Sequence, residues 1–140
     1  MTSIFLDTVG LIALWDSSDQ WHVPAKLAYT KLASTVRKIV TTHYVLLECG
    51  NASARRMYRN DVYELRAVLL SEGLVCDPTL QEIEAAWEAY RCTTFGPAGI
   101  VDYLSFEVMR RLGIREAFTM IGISNLLASP VYSSFRHHSI

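Results

Sequence analysis

The first apolar run of the chain is Ile4-Phe5-Leu6, halted by Asp7, and a run so short with no polar face predicts a strand buried on both sides. After a turn at Thr8-Val9-Gly10, the stretch Leu11-Ile12-Ala13-Leu14-Trp15 predicts a short helix that stops near Asp16-Ser17-Ser18-Asp19. Val23, Leu27, Ala28, Lys31 and Leu32 fall at helical spacing and predict a helix over residues 22–38. Pro24 sits in its first turn, where the missing N–H is tolerated. The β-branched Ile39-Val40-Thr41-Thr42 predicts a second strand. Helices are expected over 44–56, with Val45, Leu46, Cys49, Ala52 and Ser53 on one side, and over 63–71, closed by Gly73.

Leu74-Val75-Cys76 predicts a third strand, and Asp77-Pro78-Thr79 breaks the chain before a helix over 80–91. Residues 93–99 hold two glycines and Pro97 and make a loop. A helix over 100–112 ends at Gly113, and Glu116-Ala117-Phe118-Thr119 is the fourth strand. No internal repeat interrupts the pattern. Strands apolar on both faces, alternating with helices, need cover above and below. The expected fold is therefore α/β, a three-layer α/β/α sandwich around a short parallel sheet. In such sheets ligands gather beyond the carboxyl ends of the strands, so the chemistry should lie just after them.

Composition narrows the class. At 140 residues the chain suits one domain, and 51% hydrophobic content excludes disordered and low-complexity classes. Thirteen Lys and Arg against fourteen Asp and Glu leave a formal charge of −1, so nucleic acid cannot be held by bulk charge and any phosphate recognition must be local. Cys49, Cys76 and Cys92 are odd in number and lack CxxC spacing, which disfavours a disulfide framework or a zinc site. No apolar run spans a membrane and no basic leader precedes one, so a soluble, cytoplasmic protein is expected.

Three acids stand out. Asp7 ends the first strand, Glu48 interrupts the apolar stretch Tyr44-Val45-Leu46-Leu47-Glu48-Cys49, and Asp102 opens the helix after the glycine-bearing loop. Each has an ordinary explanation alone: Asp7 as a helix cap, Glu48 on a solvated face, Asp102 paired with Ser105 at a helix start. Of the two settings for Glu48, burial in a polar pocket is favoured. Together the three are different, because parallel strands would bring them to one rim. Converging carboxylates repel one another and raise each other's pKa. A hard divalent cation relieves that repulsion, and all-oxygen ligation selects Mg²⁺ or Mn²⁺. Such a site does phosphoryl chemistry.

Ile4-Phe5-Leu6-Asp7-Thr8, Leu46-Leu47-Glu48, and Val101-Asp102-Tyr103-Leu104-Ser105-Phe106 through Met109-Arg110-Arg111-Leu112-Gly113-Ile114 resemble the PIN domain. The nearest likeness is to the stand-alone bacterial toxins of the VapC type. The likeness runs from Ser3 to Thr119 and is most specific from Asp102 onward. It implies an endoribonuclease using Mg²⁺ or Mn²⁺, with Asp7, Glu48 and Asp102 as catalytic metal ligands and Thr8 and Ser105 as their polar neighbours. It also implies an RNA substrate, a small antitoxin seated on the acidic groove, and a homodimer.

The family pattern carries a fourth acid soon after the fourth strand, within an Asp-Arg-His-Phe segment. Here the chain has Thr119-Met120-Ile121-Gly122-Ile123-Ser124, with Ile121 where the Asp is expected. Met is ATG and Ile begins AT, so reading one base earlier across Met120-Ile121 gives GAT, an Asp codon. Legal synonymous codons for residues 120–129 continue that displaced frame as Asn-Asp-Arg-His-Phe-Glu-Ser-Ala-Gly-Phe. The expectation is a PIN-like domain over residues 1–119, with a C-terminal tail over 120–140 that a one-base deletion rewrote. The tail should not supply a final core strand, and the lost acid should weaken catalysis. A second reading keeps the fold but makes it an inactive module that still binds antitoxin or RNA.

The remaining chemistry-bearing residues have plainer expectations. Arg55, Arg56 and Arg59, and likewise Arg110, Arg111 and Arg115, read as solvated faces, with phosphate contact the minority reading. Trp15, Trp21 and Trp87 read as packing, Cys49 as a small core residue, and the four histidines show no ligand spacing.

Overall fold

The computed structural model describes residues 3–93, 96–119 and 122–125. Strand β1 (Ile4–Leu6) is flanked by β2 (Ile39–Val40) and β3 (Glu116–Thr119), both parallel to it, and β4 (Gly122–Asn125) closes the order β2-β1-β3-β4. All three residues of β1 are buried, as apolar side chains on consecutive pleats require when helices cover both faces. The register sets Ile4 beside Ile39 and Glu116, and Leu6 beside Phe118. The α/β sandwich expected from the sequence is therefore present, with one amendment: the sheet is mixed, because β4 runs antiparallel to β3 and pairs Thr119 with Gly122. Residues 122–125 were expected to be atypical tail and instead extend the sheet. The rest of that tail lies outside the described residues.

The third expected strand shrinks to a single bridge. Only Thr41 pairs with Val75, through Thr41 N–H on Leu74 C=O at 3.2 Å and Cys76 N–H on Thr41 C=O at 2.8 Å. The reason lies in β2, which gives out at Thr42. That residue turns into the cap of α3 (His43–Ala52), its hydroxyl accepting from Val45 N–H at 3.2 Å.

Four helix limits also differ. Helix α3 stops at Ala52 rather than residue 56, where the Ser53 N–H closes it on the Cys49 carbonyl at 2.9 Å. Helix α1 (Thr8–Trp15) begins directly after Asp7 with no intervening turn. Gly10 is not a turn glycine, because it lets the helix lie against β3: a Cβ there would stand 2.4 Å from the Phe118 carbonyl oxygen. Helix α2 (His22–Ala33) stops short of residue 38, where Ser34 and Thr35 turn their hydroxyls back onto the carbonyls of Lys31 and Leu32. Helix α4 (Arg59–Ser71) starts a turn earlier than expected.

Helix α5 (Leu80–Cys92) opens with a reciprocal capping box between Thr79 and Glu82, and α6 (Ile100–Leu112) ends at Gly113, whose φ of +67° is left-handed. The main core joins β1 and β3 to α1, α2, α3, α4 and α6, and a smaller cluster seals α5 to α6 through Ala86, Ala89, Tyr103, Leu104 and Phe106. Trp15 and Trp21 pack against the main core. Trp87 does not: it stays half-exposed with its ring edge-on to Tyr90, because it faces outward from α5.

Candidate functional site

The rim at the carboxyl end of β1 is fixed by backbone and threonine hydrogen bonds. Asp7 N–H donates to the Phe118 carbonyl at 3.3 Å, and the buried Thr41 hydroxyl donates to the Leu6 carbonyl at 2.9 Å. Asp7 thus leaves the sheet in extended conformation, held from both neighbouring strands. Although it occupies the cap position of α1, its side chain makes no capping hydrogen bond. The cap reading therefore fails for Asp7. Its carboxyl is pushed up to about 7, chiefly by burial, then by the charge of Asp102, with Glu48 adding less and the Thr8 backbone N–H pulling the other way.

Glu48 projects from the middle of α3, which packs against α1. It is exposed rather than buried as expected, since α3 turns its Val45 and Cys49 side inward. Its Oε1 accepts a 2.7 Å hydrogen bond from Thr8 Oγ1. Asp102 lies in the first turn of α6 and accepts from Gly99 N–H at 2.8 Å, so its expected helix-start role is real. Gly99 has no side chain to return that bond. Burial raises the Asp102 carboxyl too, with Glu48 adding to the rise. The end of β1, the middle of α3 and the start of α6 therefore carry three carboxylates into one electrostatic neighbourhood.

They are not gathered into a finished ligand set. Among the described residues, no three His, Cys, Asp or Glu side chains stand close enough to hold an ion as placed. Two of the three acids are held by the protein itself, Glu48 by Thr8 and Asp102 by Gly99. The donor chemistry nevertheless fits a hard divalent cation: every group is a carboxylate or hydroxyl oxygen, and the upward shifts of Asp7 and Asp102, chiefly from burial and secondarily from the neighbouring acids, are ones that positive charge would offset.

Of the two expected polar neighbours, Thr8 is in place and Ser105 is not. Ser105 is buried within α6 and donates to the Val101 carbonyl at 2.9 Å, one turn back along its own helix. Cys49 is fully buried in the main core, and burial together with Asp7 and Glu48 pushes its thiol up to about 12, so it stays protonated. Arg110 and Arg111 are more than a solvated face. Arg110 pairs with the buried Glu107 at 2.7 Å, while Arg111 holds Glu82 at 3.0 Å and the Asp77 carbonyl at 2.9 Å.

The residues that sequence reasoning missed are Thr41, Thr42, Gly10 and Gly99, which place the acids without being acids themselves. The only signal for them was position, each lying within a few residues of a strand or helix end. Ile121, the position of the absent fourth acid, lies outside the described residues. Phe118 is level with Leu6, so the carboxyl end of β3 lies on the rim that carries Asp7.

No family model matches the chain. The chain is 30% identical over 120 residues to the 23S rRNA-specific endonuclease VapC20 of Mycobacterium tuberculosis, strains CDC 1551 and H37Rv, covering 85% of this chain and 89% of that protein. Its fold matches the crystal structure of the same species' VapC20, described as a sarcin-ricin-loop-cleaving toxin. The TM-score is 0.69 at 31% identity, covering 84% of this chain and 88% of that one.

Proposed function

The chain belongs to the VapC-type family of PIN-domain proteins, and from that premise we propose that it is a divalent-metal-dependent endoribonuclease. What supports this reading is that Asp7 at the end of β1 and Asp102 at the start of α6 are each raised by burial and by neighbouring acids, Glu48 of α3 among them. Those three residues would hold Mg²⁺ or Mn²⁺. A bound cation supplies Lewis-acid polarisation of a phosphodiester oxygen and a water of lowered pKa.

The protein's own groups do the rest. Asp7, half-protonated near neutrality, gives up its carboxyl proton when positive charge arrives. Thr8 Oγ1 keeps Glu48 turned toward the rim. The fixed path of β1, pinned at Leu6 by Thr41, sets where Asp7 points. The substrate class is RNA, and the ribosomal loop named for the M. tuberculosis relative is the first target to try. The same family premise supports a small antitoxin as partner, a homodimer, and work in the cytoplasm. No helix among the described residues is long and apolar enough to cross a membrane.

One observation favours a second reading. Ile121 replaces the acid expected after the fourth strand, which supports a domain with weakened cleavage, or one that binds RNA or antitoxin without cutting. The deciding experiment incubates purified protein with ribosomal RNA in Mn²⁺, in Mg²⁺ and in EDTA. Metal-dependent cleavage that Asp7→Asn abolishes supports the enzyme. RNA or antitoxin binding without cleavage supports the module, and neither outcome sinks both.

A further inference from the structure

The turn between α3 and α4 carries Arg55-Arg56-Met57-Tyr58, directly after the helix that presents Glu48. It faces the end of α1, and the two enclose an open cavity of about 490 Å³ whose walls include Trp15, Asp16, Arg55, Arg56, Met57 and Tyr58. The Trp15 and Tyr58 rings stack at 6.3 Å between centroids. Met57 is fully exposed, with nothing of the domain covering it. Arg55 and Arg56 are exposed, and neither side chain makes a hydrogen bond among the described residues.

The cavity is a neighbour of the carboxylate rim. Tyr58 stacks on Trp15 at the end of α1, the helix that begins directly after Asp7 and whose first residue, Thr8, holds Glu48. From Glu48 to the end of α3 is four residues, about 6 Å of helix. Asp16 and Asp61 also face the cavity, so its formal charge is balanced. The Asp16 Oδ1 atom is occupied by the backbone and hydroxyl of Ser18, which hold its carboxyl down, with the charge of Arg56 adding a smaller pull.

An aromatic pair beside an exposed thioether, with two exposed guanidinium forks at the lip that make no hydrogen bond among the described residues, has the two parts of a single-strand nucleic-acid site. Apolar surface takes a base face, and fixed cations take the backbone. A chain of net charge −1 needs such a local source of positive charge to hold a polyanion at all. We propose that this cavity binds an unpaired RNA segment flanking the bond to be cut, with Arg55 and Arg56 on its phosphates and the Met57 and Trp15–Tyr58 surface against a base. The inference rests on the ribonuclease reading and adds a substrate subsite to it.

The test is fluorescence anisotropy of a labelled, unstructured RNA 12-mer in EDTA, where no cleavage occurs, over a salt titration. The proteins compared are the unaltered chain, Arg55→Ala/Arg56→Ala, and Lys38→Ala/Arg115→Ala. The last pair carries the same charge change at exposed positions preceding β2 and β3, outside the cavity. Loss of two phosphate contacts to a single strand should lower the slope of log K against log salt by about 1.4 in the first variant only. Met57→Glu, at a fully exposed position where no packing is lost, should weaken binding roughly tenfold or more by setting a charge against the strand. Equal losses in the two double variants, no loss in Arg55→Ala/Arg56→Ala, or equal affinity for a duplex of the same length would overturn the subsite. An unaltered chain that binds no RNA in EDTA would overturn the subsite, while the ribonuclease reading is judged separately by metal-dependent cleavage.

Discussion

Thr8 and Glu48, forty residues apart in sequence, are joined by a 2.7 Å hydrogen bond from Thr8 Oγ1 to Glu48 Oε1. It ties the first residue of α1 to the middle of α3, directly beside Asp7. A partner that orients a ligating carboxylate is typically worth a factor of ten to a hundred in metal affinity. Thr8→Val keeps the shape and removes the donor, so Mn²⁺ binding measured calorimetrically should weaken by about that factor. Thr8→Ser should retain most of it. If the valine variant binds Mn²⁺ as tightly as the parent, Thr8 has no part in orienting Glu48.

Asp7 makes the stability of the metal-free protein depend on pH in a stated direction. Its carboxyl titrates near 3.8 when unfolded and is pushed up to about 7 when folded, mainly by burial. A raised folded pKa means the neutral form is favoured in the native state. The penalty is absent below about pH 4, grows between pH 4 and 7 as the unfolded chain ionises this carboxyl and the folded one does not, and levels off above about 7. From 3.8 to about 7 corresponds to about 4 kcal/mol. Asp7→Asn should thus match the parent in urea unfolding at pH 4 and exceed it by up to that amount at pH 8. Added Mn²⁺ should stabilise the parent and not the variant. A parent that grows more stable between pH 5 and 8, after comparison with the variant, contradicts the placement of Asp7.

Gly10 should tolerate no side chain. A Cβ there would meet the Phe118 carbonyl oxygen at 2.4 Å, and that oxygen is backbone and already accepts from Asp7 N–H. The clash cannot be relieved by a rotamer change, so α1 must lift from β3. Gly10→Ala should cost about 1–3 kcal/mol, as overpacking does, and lower the melting temperature by several degrees. Because the same carbonyl positions Asp7, Mn²⁺ affinity should fall in the fraction that remains folded.

Glu107 is the counterpart case, a carboxylate whose burial has no ligand to explain it. It is 1% exposed, pairs through Oε2 with Arg110 at 2.7 Å, and leaves Oε1 without a hydrogen-bond partner. Burial raises its pKa, with Arg110 pulling the other way. The sign matches Asp7: stability is lost as the pH rises through the raised value. Glu107→Gln removes the buried charge and should stabilise the protein by about 1 kcal/mol at pH 8, and by nothing measurable at pH 4. A destabilised glutamine variant at pH 8 would mean the Arg110 pair outweighs the burial.

What the sequence made legible was whatever depends on one residue type at one place. The three-residue run Ile4–Leu6 has no polar face, and it is a buried strand; the apolar spacing and Gly113 bound α6 at its observed ends. The acids were legible too, because an acid at a strand end demands a reason. What depends on relations between distant residues was not legible. Gly10 looks like a turn until Phe118 is beside it, and Leu74-Val75-Cys76 looks like a strand until β2 ends one residue too soon to pair with it. Ser105 shares the helix face expected of a site residue, yet its hydroxyl has a nearer acceptor in Val101. Hydrogen-bond choice of that kind is decided by ångström-scale competition that a string of letters does not carry.

The last prediction concerns the acid that is not there. Strand β3 ends at Thr119, one residue past the Phe118 that is level with Leu6, so Ile121 follows a strand end on the same rim as Asp7. Burial and neighbouring acids already raise the Asp7 and Asp102 carboxyls there, so a fourth acid adds repulsion that a bound cation would relieve. Ile121→Asp should therefore lower the stability of the metal-free protein at pH 8 while strengthening Mn²⁺ binding and raising Mn²⁺-dependent RNA cleavage at least tenfold. A chain whose residues after Thr119 are replaced by the displaced-frame sequence Asn-Asp-Arg-His-Phe-Glu-Ser-Ala-Gly-Phe should gain more, since the flanking residues are restored with the acid. Sequencing the gene bears on the same point, because only certain synonymous codons yield that frame. If neither protein gains cleavage or Mn²⁺ affinity over the parent, the three acids suffice alone and the altered tail has cost the enzyme nothing.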